Sequence, residues 1–172
     1  MRRRIGLKES AADAIILGLK EAGVKIICAL PESHLKEVYV KASRDPHFTY
    51  IPVTNEGEGA SICAGVWLTG KKAALIMENS GLRVASEALA RLGLTHGIPV
   101  LLLMSFRGDL GEPNWWGIPH GITMEPILHA LRIPYTIVRE EGEIRSAILR
   151  ARQTADTSKY HAAVVFTGSV IT

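Results

Sequence analysis

Cysteine is scarce: the 172-residue chain has two, Cys28 and Cys63. Both lie in apolar runs, with no CxxC neighbour and no histidine at metal-ligand spacing. That excludes a disulfide framework and a structural zinc site, and the expectation is a pair of reduced, buried thiols. No apolar run approaches the roughly 20 residues that a transmembrane helix needs. Residues 1–20 also lack the apolar stretch and small-residue cleavage site of a signal peptide. The chain is therefore expected to be soluble and cytoplasmic, with no membrane partner. Concentrated basic charge is missing as well. Net charge is +3 and the lysines and arginines are scattered, except for Arg2-Arg3-Arg4, which reads as a solvated tail. Nucleic acid is not an expected partner. After the first strand candidate the sequence runs Cys-Ala-Leu-Pro-Glu-Ser rather than GxGxxG, and there is no Walker loop, GxSxG elbow or His/Cys/Asp cluster. No metal site is predicted, and a phosphate-cradling role has no support.

What is present is a regular alternation. Apolar runs at 24–30, 49–53, 73–77, 99–105, 134–138 and 162–166 read as strands. Helical segments are expected at 8–22, 33–43, 55–69, 82–95, 123–132 and 141–155. Strands that are apolar nearly throughout, rather than alternately, belong to a sheet covered on both faces. The pattern predicts an α/β fold: one doubly wound, six-stranded, mainly parallel sheet with helices on both faces, in a single domain over 1–172. At 47% hydrophobic and 22% charged residues the composition suits a soluble globular chain, which at this length buries about 70% of its unfolded surface. Repeats, low-complexity segments and internal linkers are lacking. Residues 106–122 break the spacing as a long loop at the carboxyl end of the fourth strand, where open α/β sheets bind ligands.

Three places could carry chemistry. Glu56 follows the second strand in the first turn of a helix rich in small residues: Gly57, Gly59, Ala60, Ser61, Ala64 and Gly65. Each glycine costs such a helix roughly 1 kcal/mol relative to alanine, which is tolerated where another helix or a flat ligand approaches the backbone. The plain alternative is that Asn55 caps the helix while Glu56 and Glu58 complement its positive end. The second place is the turn Glu78-Asn79-Ser80-Gly81, whose free N–H groups could meet an anion or polar ligand, or which is ordinary capping by Ser80. The third is the loop carrying Arg107, Asp109, Glu112, Trp115, Trp116 and His120. Arg107 and His120 could supply positive charge to an acidic substrate, and the paired tryptophans should cover a sheet edge or another subunit.

Taken together, VTNEGEGASICAGVWLTG (53–70), the Asn-Ser-Gly-Leu turn at 79–82 and the loop Ser105-Phe106-Arg107-Gly108-Asp109-Leu110-Gly111-Glu112 resemble the pyrimidine-binding domain of thiamin-diphosphate-dependent decarboxylases. The likeness is strongest to sulfopyruvate decarboxylase alpha subunits and the related phosphonopyruvate decarboxylases. Gly-Ile-Thr at 121–123 and Ile-Pro-Tyr at 133–135 also fit, so the likeness covers nearly the whole chain. In that superfamily a glutamate stands nine residues before a helix glycine, as Glu56 does before Gly65. The resemblance implies that Glu56 is catalytic. It would share a proton with N1′ of the cofactor's aminopyrimidine and so favour the tautomer that activates the thiazolium carbon. Asn79, Ser80 and Gly81 would contact the cofactor, and Arg107 and His120 the 2-oxo acid. The small residues Gly57, Gly59 and Ala60 would then pack against a partner.

The Gly-Asp-Gly motif that holds the diphosphate and its metal in such enzymes is absent. The resemblance therefore implies a beta subunit carrying the diphosphate-binding domain and Mg²⁺, within a hetero-oligomer or around self-associated alpha dimers. Phe106 and Glu78 stand where close relatives often have His or Gln, and Trp115, Trp116 and His120 are not family hallmarks. The implied reaction is decarboxylation of sulfopyruvate. Phosphonopyruvate, another 3-substituted pyruvate and a non-catalytic regulatory role remain open alternatives.

Overall fold

A computed structural model describes residues 6–167 and 170–171; the Arg2-Arg3-Arg4 cluster lies outside the described residues. Helices and strands alternate: α1 (Glu9–Glu21), β1 (Ile26–Ala29), α2 (Lys36–Arg44), β2 (Thr49–Pro52), α3 (Glu56–Leu68), β3 (Ala73–Glu78), α4 (Gly81–Ala90), β4 (Leu101–Ser105), α5 (Ile118–Ala130), β5 (Tyr135–Val138), α6 (Ile144–Ser158) and β6 (Ala162–Phe166). The strands form one sheet in the order β2-β1-β3-β4-β6-β5, and every neighbouring pair is parallel. The expected "mainly parallel" sheet is parallel throughout.

Both faces are covered, which explains the continuous apolar strands. Ile27, Ala74, Leu101, Leu103 and Val164 point to one side and pack with Ile15, Leu19, Val38 and Ile148 of α1, α2 and α6. Leu75, Leu102, Met104 and Val165 point to the other and pack with Ala60, Leu82, Leu89 and Leu128 of α3, α4 and α5. Each of the valine, leucine, isoleucine and methionine side chains among them contributes about 1.5–3 kcal/mol on leaving water. Cys28 and Cys63 are free and buried in this second layer.

Strand order reverses between β1 and β3, where the chain leaves β1 toward β2 on one side and β3 toward β4 on the other. Crevices at such reversals open at the carboxyl ends of the strands. The turn after β1, the turn after β3 and the loop after β4 therefore meet at one rim.

Two expectations need correction. The stretch 106–122 is not loop throughout, because α5 begins at Ile118. Pro119 fits the first helical turn, where its missing N–H is no loss, so His120 stands on a helix rather than a free loop. The small residues of α3 also act differently from expectation. A Cβ on Gly59 would come within 2.6 Å of Leu75 Cδ1, so this glycine lets α3 lie close on its own sheet. Ala60 is buried in the same layer, whereas a Cβ on Gly65 would meet nothing. No helix among the described residues is long and apolar enough to cross a membrane.

Candidate functional site

The amino end of α3 presents two carboxylates in unlike states. Asn55 caps the helix by accepting the Glu58 N–H at 2.9 Å. Glu58 reaches back and accepts from the Thr54 N–H at 2.6 Å and the Thr54 hydroxyl at 2.7 Å. This reciprocal cap holds the Glu58 carboxyl below the usual range through its hydrogen bonds to Thr54. Glu56, two residues earlier, is 7% exposed, and its carboxylate makes no hydrogen bond or ion pair with any described residue. It lies against Gly81 of α4, where any Cβ would overlap the carboxyl group. Gly81 is therefore required by Glu56, not only by the turn.

The turn after β3 does two further things. Asn79 is 1% exposed, and its side-chain amide grips the backbone of Arg107 from both sides. Nδ2 donates to the Arg107 carbonyl at 2.9 Å and Oδ1 accepts the Arg107 N–H at 3.0 Å. Asn79 thus fixes where the loop after β4 departs. The Ser80 hydroxyl donates to Glu78 at 2.7 Å and does not cap α4. Of the three residues expected at a cofactor, Gly81 touches Glu56, while the side chains of Asn79 and Ser80 are engaged within the chain.

Arg107 is the best-held cation of the rim. It is 7% exposed, with Nη1 3.4 Å from Glu112, Nε 3.5 Å from Glu78 and its guanidinium 4.6 Å from the centre of the Trp116 ring. Glu112 also accepts from the Gly108 N–H at 3.2 Å and from the Asn114 backbone and side chain, each at 3.1 Å. Burial works against its ionisation, but these bonds and the Arg107 charge hold its carboxyl below the ordinary range. His120 lies 3.9 Å from Glu78 through Nε2 and 2.6 Å from the Arg83 guanidinium through Nδ1. Arg107 and His120 are thus brought together, but on a shared carboxylate that the sequence did not single out for this role. Trp116 covers Arg107 as a tryptophan there should; Trp115 is left 85% exposed.

Two residues of the turn after β1 escaped notice. The Glu32 carboxylate accepts the N–H groups of His34 at 2.5 Å and Leu35 at 2.7 Å, just before α2. Burial pushes its pKa up, and the Glu78 charge adds to this. His34 is 4% exposed, and burial and then the Arg107 charge push its pKa down. Pro31-Glu32-Ser33-His34 follows a strand at a sheet reversal, and that position was the available signal. Its lack of glycines drew attention to what the turn could not bind. Among the described residues no group of His, Cys, Asp or Glu could hold a metal ion.

Residues 9–108 match the model of the thiamine pyrophosphate enzyme N-terminal TPP-binding domain. The chain is 33% identical over 156 residues to sulfopyruvate decarboxylase subunit alpha of Methanococcus maripaludis, covering 91% of this chain and 93% of that one. It is 36% identical over 104 residues to phosphonopyruvate decarboxylase of Streptomyces viridochromogenes, covering 60% of this chain but 26% of that one. A 2-oxoglutarate:ferredoxin oxidoreductase from Magnetococcus marinus, solved with 2-oxoglutarate, coenzyme A and succinyl-CoA bound, shares the fold. Its TM-score is 0.74 at 18% identity, over 97% of this chain and 30% of that one.

Proposed function

Because the chain belongs to the thiamine pyrophosphate enzyme family, among the relatives of sulfopyruvate decarboxylase alpha subunits, we propose that it is the alpha subunit of a thiamin-diphosphate-dependent 2-oxo acid decarboxylase. The reaction is that of a carboxy-lyase, most simply sulfopyruvate to sulfoacetaldehyde and CO₂. The observation that carries the reading is Glu56: a buried carboxylate without a partner among the described residues, seated on a glycine at a sheet reversal. That group fits an aminopyrimidine, which offers ring nitrogens to exchange a proton with a carboxyl. Thiamin diphosphate, when bound, supplies the nucleophilic carbon that adds to the 2-oxo group and the electron sink for the pair released with CO₂. Glu56 holds and moves the proton at N1′. Gly81 keeps the space beside its carboxyl free of a side chain. Asn79 places the Arg107 loop, and Arg107 and His120 face the acidic 2-oxo acid.

The diphosphate and its Mg²⁺ belong to a beta subunit in this reading. The sequence has no Gly-Asp-Gly motif, and the described residues offer no metal-binding group. Exposed apolar side chains on the α3, α4 and α5 side, including Leu68, Val84 and Ile122, suit a surface that a partner covers. A second reading has its own support. Arg107 faces both Glu78 and Glu112, and His120 faces Glu78. Such a rim is less cationic than a doubly charged substrate would favour, which suits phosphonopyruvate or sulfopyruvate less than a simpler 2-oxo acid. The test is co-purification with the beta subunit, followed by CO₂ release from sulfopyruvate, phosphonopyruvate and pyruvate with thiamin diphosphate and Mg²⁺. Release from sulfopyruvate foremost supports the first reading. Release from pyruvate alone supports the second, and none from any of the three contradicts both.

A further inference from the structure

His34 poses a physical problem that the fold itself does not solve. It is 4% exposed, and neither ring nitrogen has a hydrogen-bond partner among the described residues. Buried polar groups are paired in the great majority of cases, because an unmade bond leaves the full cost of desolvation. The surroundings show what kind of partner is missing. Glu32, in the same turn, is already engaged by the backbone N–H groups of His34 and Leu35. From β3 comes Glu78, and from the loop after β4 come Arg107 and Glu112, all close enough for their charges to act on the imidazole. The Arg107 Nε–H is likewise buried without a hydrogen bond, the nearest carboxylate being Glu78 at 3.5 Å. Two buried donors, on the segments that follow β1 and β4, the two strands flanking β3, thus lack an acceptor among the described residues. Burial and the Arg107 charge keep the imidazole neutral, so it retains one N–H to give.

We propose that His34 is a substrate-binding residue of this site, donating a hydrogen bond, beside Arg107, to an anionic oxygen of the 2-oxo acid. The inference rests on the decarboxylase reading above. The anionic oxygen belongs either to the carboxylate or to an acidic group at the 3-position. In either case a neutral imidazole adds a donor without adding charge to a rim that Glu78 and Glu112 already balance. An imidazole satisfied only by trapped water is the competing explanation.

The test uses the assembled complex with its beta subunit, thiamin diphosphate and Mg²⁺. His34→Phe keeps a flat ring and removes both nitrogens; His34→Asn keeps one N–H donor. The expected result for His34→Phe is a KM for sulfopyruvate raised about tenfold or more, with kcat changed much less and a thermal midpoint equal to or above wild type. His34→Asn recovers part of the loss. A KM effect confined to sulfopyruvate, with binding of pyruvate as substrate or competitor unaffected, assigns the 3-substituent. An equal effect on both assigns the carboxylate. An unchanged KM in both variants of an active complex overturns the proposal and leaves water as the partner. If His34→Phe does not assemble, the KM for His34→Asn and for His34→Ala decides in the same way. A wild-type complex that releases no CO₂ from any 2-oxo acid overturns the decarboxylase reading, and this inference with it.

Discussion

His161 and His34 are both buried and lie at opposite ends of the sheet. His161 precedes β6 at the amino end. Its Nδ1 accepts the Val100 N–H at 3.0 Å and its Nε2 donates to the Leu89 carbonyl at 2.8 Å, so the ring joins the end of α4 to the start of β4. Its valences are full and its tautomer is fixed. His34, at the carboxyl end, has neither bond. Glu58 and Glu56 repeat the contrast within a single helical turn, the first satisfied by its own cap and the second by no described residue. Burial therefore does not distinguish the two histidines, whereas hydrogen bonding does. His34, Arg107 Nε and Glu56 lack a hydrogen bond among the described residues and lie where β1, β2, β3 and β4 end; Tyr39 Oη, Ser105 Oγ and, on α6, Arg152 Nε are buried without one as well.

Four changes probe that division, beginning with the largest effect. Gly81→Ala should suit the first turn of α4 by propensity, since alanine favours a helix by about 1 kcal/mol over glycine. The added methyl nevertheless displaces the Glu56 carboxyl, and CO₂ release by the assembled complex should fall about a hundredfold. Activity near wild type would remove Glu56 from its seat in this account. At the other end of the sheet, His161→Phe leaves the Val100 N–H and the Leu89 carbonyl unpaired. It should lower unfolding free energy by about 2–4 kcal/mol in urea titrations, whereas His34→Phe should lower it little or not at all.

A third test is pH. Burial depresses both imidazoles below their unfolded pKa of about 6.5. Below that pH the unfolded chain binds protons that the folded chain refuses. The stability they contribute is present at higher pH and is lost as the pH falls toward the folded values. The wild-type urea midpoint should fall between about pH 7.5 and 5.5, and the fall should be shallower in His34→Phe, which has one such group fewer. An identical slope would mean that His34 is not held neutral. The smallest effect belongs to Glu58→Gln, which weakens an exposed cap. The urea midpoint should slip slightly while CO₂ release stays at the wild-type level.

Much of the fold was legible because continuous apolar strands and helical spacing answer to one demand, a sheet covered on both faces. The start of α5 was not, because Gly, Pro and Trp at 113–121 carry the composition of a loop, and only the position of Pro119 within a first turn makes it helical. Gly59 was read as facing a partner because sequence shows that something must approach a glycine, not which surface does so. Leu75 of the same chain does. Glu56 could be found from its place after a strand, before a run of small residues. His34 could not be told from His161, since each is one histidine beside apolar residues and the bonds that distinguish them come from elements far away in sequence. The central role of Glu78 was hidden for the same reason: Arg107 and His120 reach it only once β3, β4 and α5 are assembled.

The most direct measurement is CO₂ release by the alpha–beta complex carrying Glu56→Gln, with the urea midpoint taken on the same preparation. An uncharged amide of the same shape loses the ability to hold and move a proton, and no hydrogen bond in the described fold depends on the carboxylate. Activity should fall at least about a hundredfold while the midpoint stays at its wild-type value. Retained activity, or a fall in activity matched by a fall in stability, would contradict the assignment of Glu56 as the proton-handling residue.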